Sequence, residues 1–143
     1  MKPFARIALG GALMMSTLVS ATLFSQEPKP RPLNLRLECA GGDCPLLRGT
    51  PQTAGMRSGF VRLKPGQTVG WHTTARNEES LVILRGRGEA RLEGQAAMNF
   101  TAPALVYIPP TTRHNVANTG NGLLEYVYVV APANGQPSEL RPH

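Results

Sequence analysis

The sequence is poor in aromatic and acidic residues. Phe, Trp and Tyr make up only 6% of its 143 residues, and 9 acidic residues stand against 15 Lys and Arg, for a formal net charge of +6. The arginines are scattered through hairpin-like segments, and neither an aromatic-rich platform nor a recognition-helix pattern accompanies them. We therefore expect a solvated basic surface and no nucleic-acid partner.

Cysteine is also scarce, which limits the metal and redox sites that sulfur can build. The two cysteines, Cys39 and Cys44, form no Cys-x-x-Cys pair and have no histidine nearby, so a two-ligand metal site or a redox pair lacks support. The flexible Gly41-Gly42 bend between them favours a disulfide in an oxidising compartment. So short a loop contributes about 2 kcal/mol in the chain-entropy model. Two free thiols are the main alternative.

The sequence has no clean apolar run of the length that spans a bilayer. Lys2 and Arg6 precede an apolar stretch over residues 7–19, and Val19 and Ala21 place small residues around a peptidase site. These features predict a signal peptide over residues 1–21, with cleavage after residue 25 as the second choice and an uncleaved anchor as the alternative. Without an Arg-Arg pair, the general secretory route is favoured. We expect an exported protein, periplasmic or extracellular, with no stable membrane span after cleavage.

The remaining length suits one domain. Residues 26–32 (QEPKPRP) form a Pro-rich linker, and residues 33–38 (LNLRLE) alternate as an edge strand would. We assign residues 22–57 to a linker and N-terminal arm, 58–132 to a barrel and 133–143 to a C-terminal tail.

Glycine and proline, by contrast, are abundant: 15 Gly and 13 Pro are 28 of 143 residues. This density of turn residues, with no helical pattern of any length, predicts an all-β protein. About eight strands imply a closed or double-sheet architecture, because open edges would otherwise be exposed. The predicted strands after the arm cover residues 60–63, 68–74, 80–85, 89–92, 95–101, 105–108, 113–118 and 123–130.

The sequence has three histidines, and two of them occupy matching places in predicted strands. His72 lies in the 68–74 strand and His114 at the start of the 113–118 strand, while Glu78 and Glu79 follow the first of these strands. Two imidazoles and one carboxylate from adjacent strands can satisfy a small divalent cation. Strand alternation places His72 and Thr74 on one face.

The spacing in these two segments resembles that of the two motifs of the cupin superfamily. The first motif, Gly, five residues, His-x-His, three or four residues, Glu, six residues and Gly, is matched by Gly66, His72, Thr74, Glu79 and Gly86. The second motif, Pro-x-Gly, two residues, His, three residues and Asn, is matched by Pro109, Thr111, His114 and Asn118. The resemblance covers about residues 59–132. It implies a small single-domain cupin-2 type barrel, a double-stranded β-helix or jelly roll.

The resemblance also implies a metal site, with one departure. The family commonly holds its metal with three histidines and one glutamate, of which this sequence keeps His72, Glu79 and His114 and has Thr74 in place of the second histidine. The remaining set suits Zn, Mn or Fe with open positions for water or ligand. The alternative is a metal-free, hydrogen-bonded cluster that lines a small-molecule pocket.

Four further residues are candidate pocket residues: Thr74, Asn118, Tyr126 and Tyr128. The two tyrosines share one face of the last predicted strand and can line the barrel mouth, although filling the core is the more common fate of such pairs. Asn118 can hydrogen-bond near the site or brace a nearby turn.

The function predicted from these residues is an exported module that binds a small polar ligand, with or without a divalent metal. A metal-dependent enzyme of the dioxygenase or isomerase type is the alternative, and a non-catalytic barrel that acts by dimerisation is a third reading. Loading outside the cytoplasm favours Zn or Mn over Fe(II) chemistry. The resemblance implies a homodimer formed through an N-terminal strand, for which residues 33–38 are the candidate.

Overall fold

The computed structural model of the chain describes residues 29–133. The predicted signal peptide, and the predicted tail apart from its first residue, lie outside the described residues. Between residues 29 and 133 no helix is long and apolar enough to cross a membrane. The elements in this range are the strands β1 (Gly42–Arg48), β2 (Arg57–Leu63), β3 (Asn77–Arg85), β4 (Arg87–Leu92), β5 (Met98–Thr101), β6 (Ala104–Ile108), β7 (His114–Asn118) and β8 (Leu124–Pro132).

The strands form two antiparallel sheets that pack on one core. One sheet has five strands in the order β1-β2-β8-β3-β6, and the other has three in the order β5-β4-β7. Because side chains alternate along a strand, the inward residues of both sheets meet between them. The largest fully buried side chains are Leu81, Ile83, Ile108, Leu124, His114, Val61 and Val116. The predicted all-β, double-sheet architecture is confirmed.

Strand β1 lies inside the segment that the sequence assigned to an arm. It pairs with β2 from Gly42↔Arg62 to Arg48↔Arg57, with an irregularity between Pro45 and Leu47. Proline discourages a strand prediction, but an edge strand tolerates it because one row of its N–H groups has no partner. The sheet therefore begins before residue 57.

The predicted disulfide is present and links β1 to the segment before it. Cys39 and Cys44 are bonded, with their Cα atoms 5.7 Å apart. The guanidinium of Arg62 donates to the Cys39 carbonyl at 2.8 Å and to the Glu125 carboxylate at 2.8 Å. These contacts fix the end of the arm against β2 and β8.

Two predicted strands are wrong. Residues 33–38 have no regular structure, since no ladder partner for them lies in the described range. The predicted 68–74 strand is reduced to two isolated bridges, Thr68↔Ala117 and His72↔His114. Gly70, at φ +86, interrupts the extended backbone between the two bridges.

Candidate metal centre

The backbone brings the two internal histidines side by side. The His72 N–H donates to the His114 carbonyl at 2.9 Å, and the His114 N–H donates to the His72 carbonyl at 2.8 Å. Their ring centroids are 4.2 Å apart, at an interplanar angle of 59°. Strand β7 and the bridged loop beside it thus hold the imidazoles in one place.

The Nδ1 atom of each ring is occupied by a backbone carbonyl. Nδ1 of His72 lies 3.0 Å from the Gly70 oxygen, and Nδ1 of His114 lies 3.0 Å from the Thr112 oxygen. A carbonyl only accepts, so Nδ1 carries the hydrogen and, in the neutral ring, Nε2 keeps its lone pair. This is how metal-binding histidines are commonly oriented.

Glu79 completes the group from β3, where it lies opposite Ile108 and Val130. Its side chain is buried, and Oε2 lies 3.2 Å from Nε2 of His114. One ligand atom each from His72, Glu79 and His114 lies within 4.8 Å of the other two. Glu78 instead faces outward and accepts a hydrogen bond from the Tyr107 hydroxyl at 3.1 Å. The structure thus brings the three predicted ligands together and keeps Glu78 apart.

Two buried atoms of this group lack a hydrogen-bond partner among the described residues. Glu79 Oε2 and His114 Nε2 are within ion-pair distance, yet neither makes a hydrogen bond of acceptable geometry. The Nδ1–H of His114 already donates to the Thr112 carbonyl, so Nε2 of the neutral ring is an acceptor. It faces a second acceptor, Glu79 Oε2, in a buried place. This contact is costly without a cation between the two atoms.

A proton or a metal ion can relieve this arrangement. Burial of the His114 ring lowers its pKa, but the Glu79 carboxylate and the Thr112 carbonyl raise it by more, so the pKa of His114 is raised overall. A divalent cation supplies two positive charges at the same place. Two imidazole nitrogens and one carboxylate are a donor set that fits Zn, Mn or Fe.

Thr74 occupies the position at which the cupin motif has its second histidine. It is buried, and its hydroxyl donates to the Asn77 carbonyl at 2.9 Å. The Asn77 side chain donates in return to the Thr74 carbonyl at 2.8 Å. The Thr74 side chain therefore braces the turn into β3 and supplies no ligand, which leaves the metal position open on that side.

A cavity of about 420 Å³ adjoins the group, and His72, Thr74 and Glu79 are among its lining residues. This volume is within the range of small-molecule pockets. Four valines form apolar parts of the wall: Val61, Val69, Val116 and Val130. His114, which is fully buried, lies behind the lining rather than in it.

Both predicted pocket tyrosines line this cavity. Burial raises the pKa of Tyr126 strongly, and burial followed by the nearby Asp43 carboxylate raises the pKa of Tyr128 to about 12. Both phenols therefore stay protonated near neutral pH and can donate hydrogen bonds. The Tyr128 ring lies over Gly59 on β2, where an added Cβ would lie 2.6 Å from the ring. The missing side chain at Gly59 thus makes room for Tyr128.

Asn118 lies outside the cavity, contrary to its prediction as a pocket residue. Its amide nitrogen donates to the Leu63 and Gly122 carbonyls at 2.9 and 2.8 Å, and its amide oxygen accepts from the Gly120 N–H at 2.8 Å. These bonds brace the turn before β8 and leave the side chain no role at the site. The turn-bracing alternative is the one that the structure supports.

Three charged residues that line the cavity could not be predicted from the sequence: Asp43, Arg48 and Arg57. Asp43 and Arg48 lie on β1, which was not predicted, and Arg57 is the first residue of β2. The sequence around β1 has no alternating pattern to predict a strand, because Pro45 is followed by two adjacent leucines. The turn between β6 and β7 also departs from the cupin motif. Thr111 adopts φ +61, a left-handed conformation, at the position where the motif has a glycine.

Comparison with known proteins places the chain in a family. The family model described as a cupin domain matches residues 59–130. The chain belongs to the cupin superfamily. An RmlC-like cupin family protein with a double-stranded β-helix fold from Methanocaldococcus jannaschii superposes with a TM-score of 0.59, at 20% identity, over 73% of this chain and 94% of that one. That likeness confirms the double-stranded β-helix.

Two Streptomyces proteins are similar in sequence to this cupin. Polyketide synthase CurC of Streptomyces cyaneus is 33% identical over 101 residues, which cover 68% of this chain and 64% of CurC. Protein SchB of Streptomyces halstedii is 32% identical over 100 residues, which cover 68% of this chain and 71% of SchB. The matched region thus spans slightly less than two thirds of CurC.

Proposed function

We propose that this cupin binds a divalent metal ion through His72, Glu79 and His114 and holds a small polar ligand in the adjoining cavity. The observation that carries the proposal is the pair of buried acceptors, Glu79 Oε2 and His114 Nε2, which lie 3.2 Å apart without a hydrogen bond. A cation between them satisfies both atoms. The carbonyl bonds at both Nδ1 atoms support the proposal, because they leave Nε2 of each ring free to bind the ion.

The residues around the group suit ligand binding. Three protein ligands leave coordination positions open, and Thr74 does not fill one because its hydroxyl is bonded to Asn77. A bound ion would act as a Lewis acid toward a ligand oxygen. The Tyr126 and Tyr128 hydroxyls, both protonated near neutral pH, supply hydrogen-bond donors on the cavity wall. Loading outside the cytoplasm favours Zn or Mn.

The metal content of two glutamate variants tests this proposal. Glu79→Gln removes the proposed ligand charge, whereas Glu78→Gln changes the adjacent glutamate, which faces outward toward Tyr107. We expect one metal ion per chain in the wild type and in Glu78→Gln, and an affinity at least about tenfold lower in Glu79→Gln. Elemental analysis after dialysis against Zn or Mn measures the content. Absence of metal from the wild type, or equal affinity in both variants, contradicts the proposal.

A metal-dependent enzyme of the dioxygenase or isomerase type is the second candidate. Its support is the name of one relative, polyketide synthase CurC, together with a buried carboxylate, Glu79, beside the ligand cavity. The test is turnover of keto acids, sugars or thiols by the metal-loaded protein, with Glu78→Gln as control. Turnover that disappears in Glu79→Gln favours the enzyme; saturable binding without turnover favours the binding module.

We also propose that the protein is exported. The disulfide between Cys39 and Cys44 supports export, because such bonds persist mainly in oxidising compartments. The test is the N-terminal sequence of the protein recovered from the periplasm or the medium. We expect a first residue of 22 or 26. An intact N-terminus at Met1 in the cytoplasmic fraction contradicts it.

A second copy of the chain is the proposed protein partner. Leu33, Leu35 and Leu37 are 52%, 41% and 45% exposed, and residues 33–38 have no strand partner in the described range. An extended segment with unpaired backbone groups can pair with an edge of another subunit. Light scattering should give a dimer for the wild type and for the control Met98→Ser. Replacing the three leucines by Ser should yield monomers, and an unchanged dimer contradicts the assignment.

A further inference from the structure

The end of the cavity formed by β1 and β2 carries two arginines on neighbouring strands. Arg48 and Arg57 are Cα partners in the ladder between β1 and β2, and both line the cavity. Like charges that lie directly opposite each other destabilise a sheet. In the described part of the chain, neither arginine has a carboxylate within ion-pair distance. Such a pair is suited to an anion that neutralises both charges.

The local structure fixes the positions of these two residues. The Arg48 N–H donates to the Gln52 side-chain oxygen at 2.8 Å. The aliphatic carbons of Arg57 lie over Gly49, where an added Cβ would be 3.4 Å from the Arg57 Cγ. Gly49 itself has φ +84, a conformation that glycine adopts without cost. The arginines therefore extend from a turn whose backbone is held in place.

The charges around the cavity also favour an anionic ligand. Asp43 and Glu79 are the carboxylates among the lining residues, and Arg48 and Arg57 balance them. A divalent ion at His72, Glu79 and His114 would leave the lining with an excess of two positive charges. The Tyr128 hydroxyl lies 3.5 Å from Asp43 Oδ2 and donates to that carboxylate.

We propose that Arg48 and Arg57 form an anion-binding subsite, so that the ligand of this cavity is a small organic acid. Its anionic group, a carboxylate or a phosphate, binds the two guanidinium groups, and an oxygen atom elsewhere in the molecule faces the metal position. The contact with the metal position rests on the proposed function, whereas the contact with the guanidinium groups depends on the arginines alone. The paired geometry of the guanidinium group suits both oxyanions.

Calorimetric titration of metal-loaded protein with succinate and glutarate tests the subsite. Succinamide, in which neutral amides replace both carboxylates, is the matched weak probe, and comparison of phosphoglycolate with the dicarboxylates tests whether a phosphate binds more tightly than a carboxylate. We expect at least one dicarboxylate or phosphoglycolate to bind at least about tenfold more tightly than succinamide. Charge-assisted hydrogen bonds to an anion have this order of effect. Failure of the wild type to bind any of these anions overturns the proposal.

Variants separate the subsite from the metal centre. We expect Arg48→Gln and Arg57→Gln each to weaken anion binding about tenfold, and the double variant to abolish the preference over succinamide. Arg85→Gln, at an exposed arginine outside the cavity lining, should bind as the wild type does. Metal content measured on the same samples should be unchanged. Unchanged anion binding in the double variant overturns the subsite, whereas loss of metal from the wild type overturns the proposed function.

If the wild type binds no metal, the same titrations are performed on the metal-free protein. Anion binding that still depends on Arg48 and Arg57 then supports the subsite without the metal. Anion binding that does not depend on them overturns it.

Discussion

The two ends of the cavity are built in different ways. At one end, a bridged loop holds His72, β3 of the five-stranded sheet holds Glu79, and β7 of the three-stranded sheet holds His114. Two of the three side chains are buried. At the other end, Arg48 and Arg57 are exposed and lie on the edge pair β1–β2. Buried polar groups need partners, so the first end needs a proton or a metal ion between its acceptors, whereas the second keeps its charges in water. We expect changes at the two ends to separate metal binding from ligand choice.

The largest effect is expected from His114→Ala, which acts on the buried end. The change leaves the Glu79 carboxylate buried without its imidazole neighbour, and removing one partner of a buried pair costs about 3 kcal/mol. Urea denaturation of the metal-free protein at pH 6, where the raised pKa of His114 keeps its imidazole protonated and paired with Glu79, measures the free energy of unfolding. Metal affinity should also fall by at least about tenfold. Loss of a residue that only orients a metal ligand has an effect of this size, and His114 is a proposed ligand itself. A variant as stable as the wild type would contradict the buried pair.

Removal of the disulfide acts on the edge pair β1–β2, away from the metal group. Replacing Cys39 and Cys44 together by Ser should lower the free energy of unfolding by about 2 kcal/mol, because the short loop is no longer closed in the unfolded chain. Metal content should not change, since neither cysteine lies in the metal group. Reduction of the wild type should reproduce the loss in the same denaturation experiment. A loss of metal on reduction would mean that the two ends are not independent.

A smaller effect is expected from Gly59→Ala, which moves Tyr128. An added Cβ would lie 2.6 Å from the tyrosine ring, so the ring must shift at a cost of about 1 kcal/mol. Gly122→Ala is the matched control, because an added Cβ there meets no atom within 4 Å. Thermal unfolding should show a lower Tm for Gly59→Ala alone. Equal Tm values in the two variants would contradict the position of Tyr128.

The smallest effect is a pH dependence of the metal-free protein. Since the folded pKa of His114 is raised above its ordinary 6.5, the imidazolium stabilises the fold below about pH 6.5, and this contribution is lost as the pH rises through the folded pKa. Glu79→Gln removes the charge that favours the imidazolium and should flatten the dependence. Tm measured in chelator from pH 5 to 9 detects the difference. Parallel profiles for the variant and the wild type would contradict the pairing.

The same contrast explains how much could be predicted from the sequence. Alternating apolar residues and turn glycines mark the central strands, and the spacing of His72, Glu79 and His114 marks the metal group. Strands could not be predicted correctly where the backbone is irregular. Pro45 argued against a strand at β1, and Gly70 at φ +86 interrupts the strand that was predicted around His72. The carbonyl partners of the two Nδ1 atoms follow from tertiary geometry and have no sequence signal of their own.

Asn118 illustrates a different limit. Its place in the cupin motif is visible in the sequence, but the choice between pocket and turn depends on which carbonyls lie nearby. Leu63, which accepts one of its hydrogen bonds, is 55 residues away in the chain. The arginine subsite is hidden for a similar reason, because Arg48 and Arg57 become a cavity pair only once β1 joins the sheet.

The most direct test of the account is a crystal structure of the Zn- or Mn-soaked protein with anomalous data collected at the metal edge. We predict one anomalous peak among the Nε2 atoms of His72 and His114 and a carboxylate oxygen of Glu79, with both Nδ1 atoms still donating to the Gly70 and Thr112 carbonyls. A structure without that peak, in which Nε2 of His114 donates a hydrogen bond directly to Glu79, would show that a proton rather than a metal ion occupies the site.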